Sequence, residues 1–319
     1  VKKLSELLRS KNDLTIGIIC CLIGNVFYGF SYMFTRVAQR SAVPEVQLAL
    51  RFVIAFILMT ILLLVRHQMP SLKGRRKWPL IVCAFSVLSI YYTESLGIYY
   101  SNSSFASLSL SILPVVALIL AFIFLKERPT RRQVIFSFFP VIGVVLITLA
   151  NSNMGAVRPI GIIMMAICIL VSAVSRVINR KYSIEYSSAE RTYTILFFGS
   201  ISFTITALIT VKGDLSAFTY ALSQPSFLAS TLALSILCSI IALFLVNYSY
   251  SKLSVVRISA INTVSTVVGV LAGIILLREP VNALSAFGSV LTIFGIWQVN
   301  SSGQREQIPQ VNTSGKADA

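Results

Sequence analysis

One carboxylate, Glu94, and two guanidiniums, Arg51 and Arg176, fall inside long apolar runs of this 319-residue chain, whose other charges sit in or near the gaps between runs. An ionisable side chain at the centre of lipid costs about 2.5–3.5 kcal/mol even by insertion scales, so it is retained for pairing or for function. Glu94 stands four residues before the end of its run, roughly 6 Å from that end at about 1.5 Å per residue. A carboxyl group there could hold a proton or a substrate amine. Arg51 is seven positions into the preceding run, which crosses in the opposite direction, so it lies at comparable depth and a structural ion pair accounts for both residues equally well. Arg176, about 16 residues into its own run, is near the far end. It could snorkel to the interface, or it could turn inward and bind a carboxylate or phosphate through its planar fork. Its depth separates it from Glu94, so these two are not expected to pair.

Polar and aromatic tips surround these charges in sequence. Asn25, Tyr28, Ser31 and Tyr32 occupy neighbouring turns of the first run beside Gly24 and Gly29, and Tyr91, Tyr92, Ser95, Asn247 and Asn262 add others. A cavity of this composition suits amphipathic ligands, although tyrosine at a lipid interface explains each one singly. Glu127 and Glu279 close the fourth and ninth runs beside Lys126 and Arg278. A helix C-terminus disfavours a carboxylate, so both are read as structural or gating groups bonded to nearby amides or cations. The lone histidine, His67, falls in a gap, and the five cysteines lie within runs without metal-ligand spacing. No phosphate loop or nucleophile–base motif occurs, so neither a cofactor, a bound metal nor enzyme chemistry is expected.

The elements that position these residues follow from composition. The chain is 56% apolar and 12% charged, with mean hydropathy +0.83; too much hydrocarbon for one water-soluble core, it requires lipid as solvent. Crossing ~30 Å of hydrocarbon takes about 20 helical residues with every backbone group bonded internally. Ten runs qualify: 14–35, 45–65, 78–98, 105–125, 134–150, 160–179, 191–211, 227–250, 255–277 and 283–299. The first follows Lys2, Lys3, Arg9 and Lys11 as a signal peptide would, but it is long and lacks a small-residue cleavage site. The net charge of +16 does not point to nucleic acid, because the bases are dispersed among short gaps. With the N-terminus cytoplasmic, 20 of the 27 cations fall inside and five (Arg36, Arg40, Arg158, Lys212 and Arg278) outside, with Arg51 and Arg176 in the membrane. That bias predicts both termini on the cytoplasmic side, in a bacterial cytoplasmic (inner) membrane.

A shift of 152 positions aligns the fourth run with the ninth and the fifth with the tenth without a gap. Ser107 meets Ser259, Ala117 meets Gly269, Ala121 meets Gly273, Lys126-Glu127 meets Arg278-Glu279, and Gly143 meets Gly295. The expected organisation is a cytoplasmic segment at 1–13, two five-helix repeats at 14–150 and 151–300, and a disordered polar tail at 301–319. An odd number of helices per repeat threads the second through the membrane in the opposite sense. Inverted halves can expose a shared midplane site to one side and then the other. The stripe Gly269-x-x-x-Gly273 could join the halves or two protomers, so monomer and homodimer both stay open.

Leu125-Lys126-Glu127-Arg128-Pro129-Thr130, its counterpart Leu277-Arg278-Glu279-Pro280-Val281, and the pair Arg51-Phe52 resemble motifs of the ten-helix drug/metabolite transporter superfamily, specifically its EamA-like group, over roughly residues 14–300. Pro114 stands where that family usually carries a mid-helix proline, whereas its counterpart is Thr266. The resemblance implies secondary transport of amino acids, their derivatives or other metabolites, driven by a proton or solute gradient, through a central cavity between the halves. The competing reading is a membrane-embedded lipid-handling protein or enzyme without transport activity; a channel lacks a ring of like charges or a filter motif.

Overall fold

A computed structural model describes residues 2–67, 69, 76–113, 116, 131–152, 157–253, 258, 261–278 and 283–303. Every regular element among them is helical: α1 Lys2–Ala38, α2 Pro44–Val65, α3 Trp78–Tyr99, α4 Ser103–Leu110, α5 Arg131–Ser152, α6 Pro159–Tyr182, α7 Ser188–Thr210, the short α8 Ser216–Ser223, α9 Pro225–Ala233, a π-helical segment Leu234–Ala242 that continues into α10 Leu243–Lys252, α11 Thr263–Leu277 and α12 Ala283–Gly303. Proline opens α2, α3, α6 and α9, at positions where a helix has no use for the missing N–H. Asn102 caps α4 by accepting from the Phe105 amide at 2.7 Å. Ser187 and Glu190 form a reciprocal capping box at α7, with bonds of 3.2 and 2.8 Å.

Six helices have the length and apolarity to cross a membrane: Leu14–Ala38, Pro44–Val65, Trp78–Tyr99, Pro159–Tyr182, Ser188–Thr210 and Pro225–Lys252. Shorter apolar helices cover Phe138–Ile147, Val264–Leu277 and Ala286–Gly295. The remaining expected span, 105–125, starts as α4, and most of its length lies outside the described residues. Two features are additional to the sequence expectation. The eighth span is π-wound at its centre, and α8 forms a separate surface helix before it. The last helix also continues to Gly303, one turn into the polar tail; extending an existing hydrogen-bond ladder needs no new nucleus.

The solvent logic of a globular protein is reversed. Ile57, Ile61, Leu64, Val145, Val177, Ile205 and Ile209 face outward, while Asn25, Gln47, Arg51, Ser107, Asn179, Arg191 and Asn247 are buried. Lipid satisfies the first set, and only internal hydrogen bonds satisfy the second.

The helices pack with the exchange symmetry of two related halves. α2 pairs with α7 and α5 with α12, while α3 lies on α6 as α9–α10 lies on α1. The α5–α12 crossing shows the symmetry atom by atom. A Cβ on Gly143 would run into Thr292 and the Gly288 carbonyl, and one on Gly295 would lie 2.5 Å from Pro140 Cδ. Residues 143 and 295 are 152 apart, as are 140 and 292, so one contact occurs twice with the roles swapped, as a two-fold axis demands. At Gly269 a Cβ would sit 2.9 Å from both Ser107 Cβ and Tyr32 Cδ2, and Ser107 Oγ donates to the Thr266 carbonyl at 3.0 Å. Gly269 therefore joins the two halves of one chain.

Candidate functional site

Helix α3 brings Glu94 to the inside of the bundle, and α1 supplies its hydrogen-bond partner, the Tyr32 hydroxyl. Tyr32 is buried, while Glu94 is enclosed by protein and only half-buried. On the other side Arg51 of α2 acts on Glu94 through space but does not close an ion pair with it. The guanidinium is engaged elsewhere: Nε donates to Ser239 Oγ at 2.7 Å, and its central carbon lies 4.8 Å from the Tyr91 ring centroid and 5.8 Å from that of Phe52. Its Nη2 is buried without a hydrogen-bond partner. Tyr91 in turn approaches Tyr28, hydroxyl to hydroxyl, at 3.4 Å.

The π-helical segment places these neutral partners. Ser235 and Ser239 both face α2: Ser235 Oγ donates to the Arg51 carbonyl at 2.9 Å, and Ser239 accepts from the Arg51 side chain. Cys238 Sγ, on the same segment, donates to the Phe27 carbonyl of α1 at 3.3 Å. A π-turn widens the helix locally and frees it from the ordinary register, and such turns recur at functional sites.

Arg176 turns inward rather than snorkelling. It is 8% exposed, enclosed near Tyr32, Cys21 and Tyr250. Tyr32 thus stands within electrostatic reach of both Glu94 and Arg176, although those two charges do not touch. The structure gathers Glu94, Tyr32, Arg51, Tyr91 and Tyr28 into one enclosed group, with Arg176 beyond Tyr32 on the side of Tyr250 and Cys21. Asn25, buried one turn before Tyr28, donates to the Cys21 carbonyl of its own helix at 2.8 Å, whereas Asn262 precedes α11. Gly273 accepts from the Arg278 amide at the end of α11. Pro114, Glu127 and Glu279 lie outside the described residues.

Asn247 joins a second polar cluster that the sequence does not announce. Arg191, at the start of α7, reads as a cytoplasmic loop cation but is 0% exposed. It donates to the Asn179 carbonyl at 3.3 Å, to Asn247 Oδ1 at 3.5 Å and to the Asn247 carbonyl. Asn247 Nδ2 donates to Thr192 Oγ1 at 2.9 Å, and Ser183 Oγ donates to the Tyr250 carbonyl at 2.9 Å. These bonds tie α6, α7 and α10 together at one end of the bundle. Toward the other end, Gln39 Nε2 donates to the carbonyl and hydroxyl of Ser95, both at 2.9 Å, and Arg36 donates to the Ile98 and Tyr99 carbonyls at 3.2 Å. The charged group lies between two polar layers.

The family profile of the EamA-like transporters matches twice, at residues 15–149 and 159–301. The chain belongs to the EamA-like transporter family. It is thereby a ten-helix member of the drug/metabolite transporter superfamily, built of two inverted five-helix repeats. Among relatives of this EamA-like protein, the uncharacterized transporter YcxC of Bacillus subtilis is 27% identical over 290 residues, covering 90% of this chain and 93% of its own length. An uncharacterized transporter of Archaeoglobus fulgidus is 27% identical over 281 residues, covering 86% and 94%. A WAT1-related protein of Arabidopsis thaliana is 25% identical over 241 residues, covering 66% and 62%. A solved crystal structure of 15% identity superposes with a TM-score of 0.63, covering 91% of this chain and 98% of the other, a likeness of fold.

Proposed function

We propose that this EamA-like protein is a secondary active transporter that moves small polar or amphipathic metabolites, amino acids and their derivatives foremost, by alternating access. The observation that carries the proposal is the Glu94–Tyr32–Arg51 group, charged and tyrosine-walled, enclosed between two symmetry-related halves whose outer surface is apolar. Transport needs a site that can be sealed from both sides, and inverted halves supply two equivalent ways of opening it. Polar layers at Arg191–Asn247 and at Gln39–Ser95 flank it: the neutral Gln39–Ser95 bonds are suited to break and re-form as helices shift, while the charge-assisted Arg191 bonds hold the other end together. In this mechanism Glu94 carries the coupling proton, with Tyr32 orienting the carboxyl group. Both termini face the cytoplasm of a bacterial inner-membrane protein.

Counterflow in liposomes tests the proposal. Vesicles containing the purified protein are loaded with an unlabelled compound and diluted into the labelled one, across a panel of amino acids, nucleosides and organic acids. A carrier gives transient accumulation of label that depends on the internal pool. Absence of trans-stimulation for every compound would remove alternating access from consideration.

A further inference from the structure

Proton handling at Glu94 gives no reason for a guanidinium beside it. Arg51 is 3% exposed, and a buried cation is ordinarily held by a carboxylate in direct contact. Here the contacts are neutral. Ser239 Oγ accepts from Nε, and Tyr91 and Phe52 present their rings. Nη2 makes no bond, and the nearest described acid, Glu94, bonds Tyr32 instead. Stacking and the Nε bond fix the plane of the fork while leaving an Nη donor unused, which is preorganisation for a planar oxyanion. A buried charged donor left unbonded is costly, and a ligand that reaches it recovers the cost.

The surroundings narrow the ligand further. Arg51 shares this group with a single carboxylate, Glu94, which Tyr32 already bonds, and a second guanidinium, Arg176, acts on Tyr32 from the side of Tyr250 and Cys21. The side chains gathered around Arg51 and Glu94 are aromatic: Tyr28, Tyr32, Phe52 and Tyr91. We infer that the substrate is a carboxylate on an aromatic or otherwise apolar body, that Arg51 binds the carboxylate, and that an amine on the substrate is dispensable. This assignment rests on the transport reading for its substrate and is testable apart from it. Cationic amines lacking an acid group are rejected, because they would meet Arg51 with like charge.

Three probes of one skeleton separate the charges: 3-phenylpropanoate, L-phenylalanine and phenethylamine, titrated calorimetrically into the purified full-length protein. The expected result is binding of the two carboxylates and at least tenfold weaker binding of phenethylamine. Arg51→Gln should weaken 3-phenylpropanoate at least tenfold, and Arg51→Lys should lose part of the affinity, since it keeps the charge without the fork. If Arg51→Gln does not fold, the wild-type series and Arg51→Lys decide. Failure of both carboxylates to bind, preference for phenethylamine, or unchanged anion affinity in a folded Arg51→Gln protein overturns the assignment. Arg51-dependent binding without trans-stimulated exchange would instead sink the transport reading and leave this one standing. Trans-stimulated exchange of phenethylamine in preference to 3-phenylpropanoate would do the reverse.

Discussion

Glu94 can be exchanged for glutamine with almost no change of shape, which separates its proton from its packing. The amide retains an oxygen to accept from Tyr32, while the titratable group is lost. Glu94→Gln is expected to abolish uptake driven by a pH gradient in proteoliposomes, to preserve exchange at equal pH, and to leave the unliganded melting temperature within a few degrees of wild type. Lower stability in detergent with gradient-driven uptake intact would make Glu94 a structural group. Arg191 calls for the opposite outcome. Its fork holds the Asn179 and Asn247 carbonyls across three helices, and charge-assisted bonds of this kind contribute roughly 1.5–3 kcal/mol each. Arg191→Ala should therefore cost about 3 kcal/mol or more, read as a drop in melting temperature and a loss of folded protein on size-exclusion chromatography. A stable, monodisperse variant would show that the cluster is dispensable for the fold.

At the scale of the element, the α5–α12 crossing has the least room. A Cβ on Gly288 would stand 2.7 Å from the Gly143 carbonyl oxygen and 2.9 Å from Ile147 Cγ1, and backbone cannot rotate away as a side chain can. Gly288→Ala should force the helices apart at a cost of about 1–3 kcal/mol, the usual range for overpacking, whereas Val290→Ala, on the exposed face of the same helix, should melt close to wild type. Equal melting temperatures for the two variants would count against the close approach. Much of this architecture was legible beforehand, because lipid makes length and apolarity nearly sufficient to locate a helix. Arg51 and Glu94 could be placed at matching depth by counting residues. Arg191 could not: a cation at the edge of a span looks cytoplasmic until Asn179 and Asn247 are folded against it, from positions 12 and 56 residues away. The π-winding was also hidden, since Leu234–Ala242 is apolar in either register. Only its tertiary partners, Arg51 and Phe27, reveal which serines and cysteine turn inward.

For the whole molecule, inverted threading makes a demand that no local contact can satisfy. Arg40 follows the first span and Ile184 the sixth, the same place in each repeat; Met69 follows the second span and Leu215 the seventh. All four are exposed, and four of the five native cysteines are buried, with Cys20 half-buried, so background labelling should be low. Two contacts align the loops across repeats. Tyr186 Oη donates to the Arg76 carbonyl at 2.5 Å, which puts the loop after the sixth span beside the one after the second. The Arg158 amide donates to the Tyr100 carbonyl at 2.9 Å, which joins the loop before the sixth span to the one after the third. The cation bias predicts the absolute sense. Single cysteines at Arg40 and Leu215 should therefore react with a membrane-impermeant maleimide in intact cells, and those at Ile184 and Met69 only after permeabilisation. If Arg40→Cys and Ile184→Cys label from the same side, the repeats run parallel, and the two-fold exchange on which alternating access depends has no axis in the membrane plane.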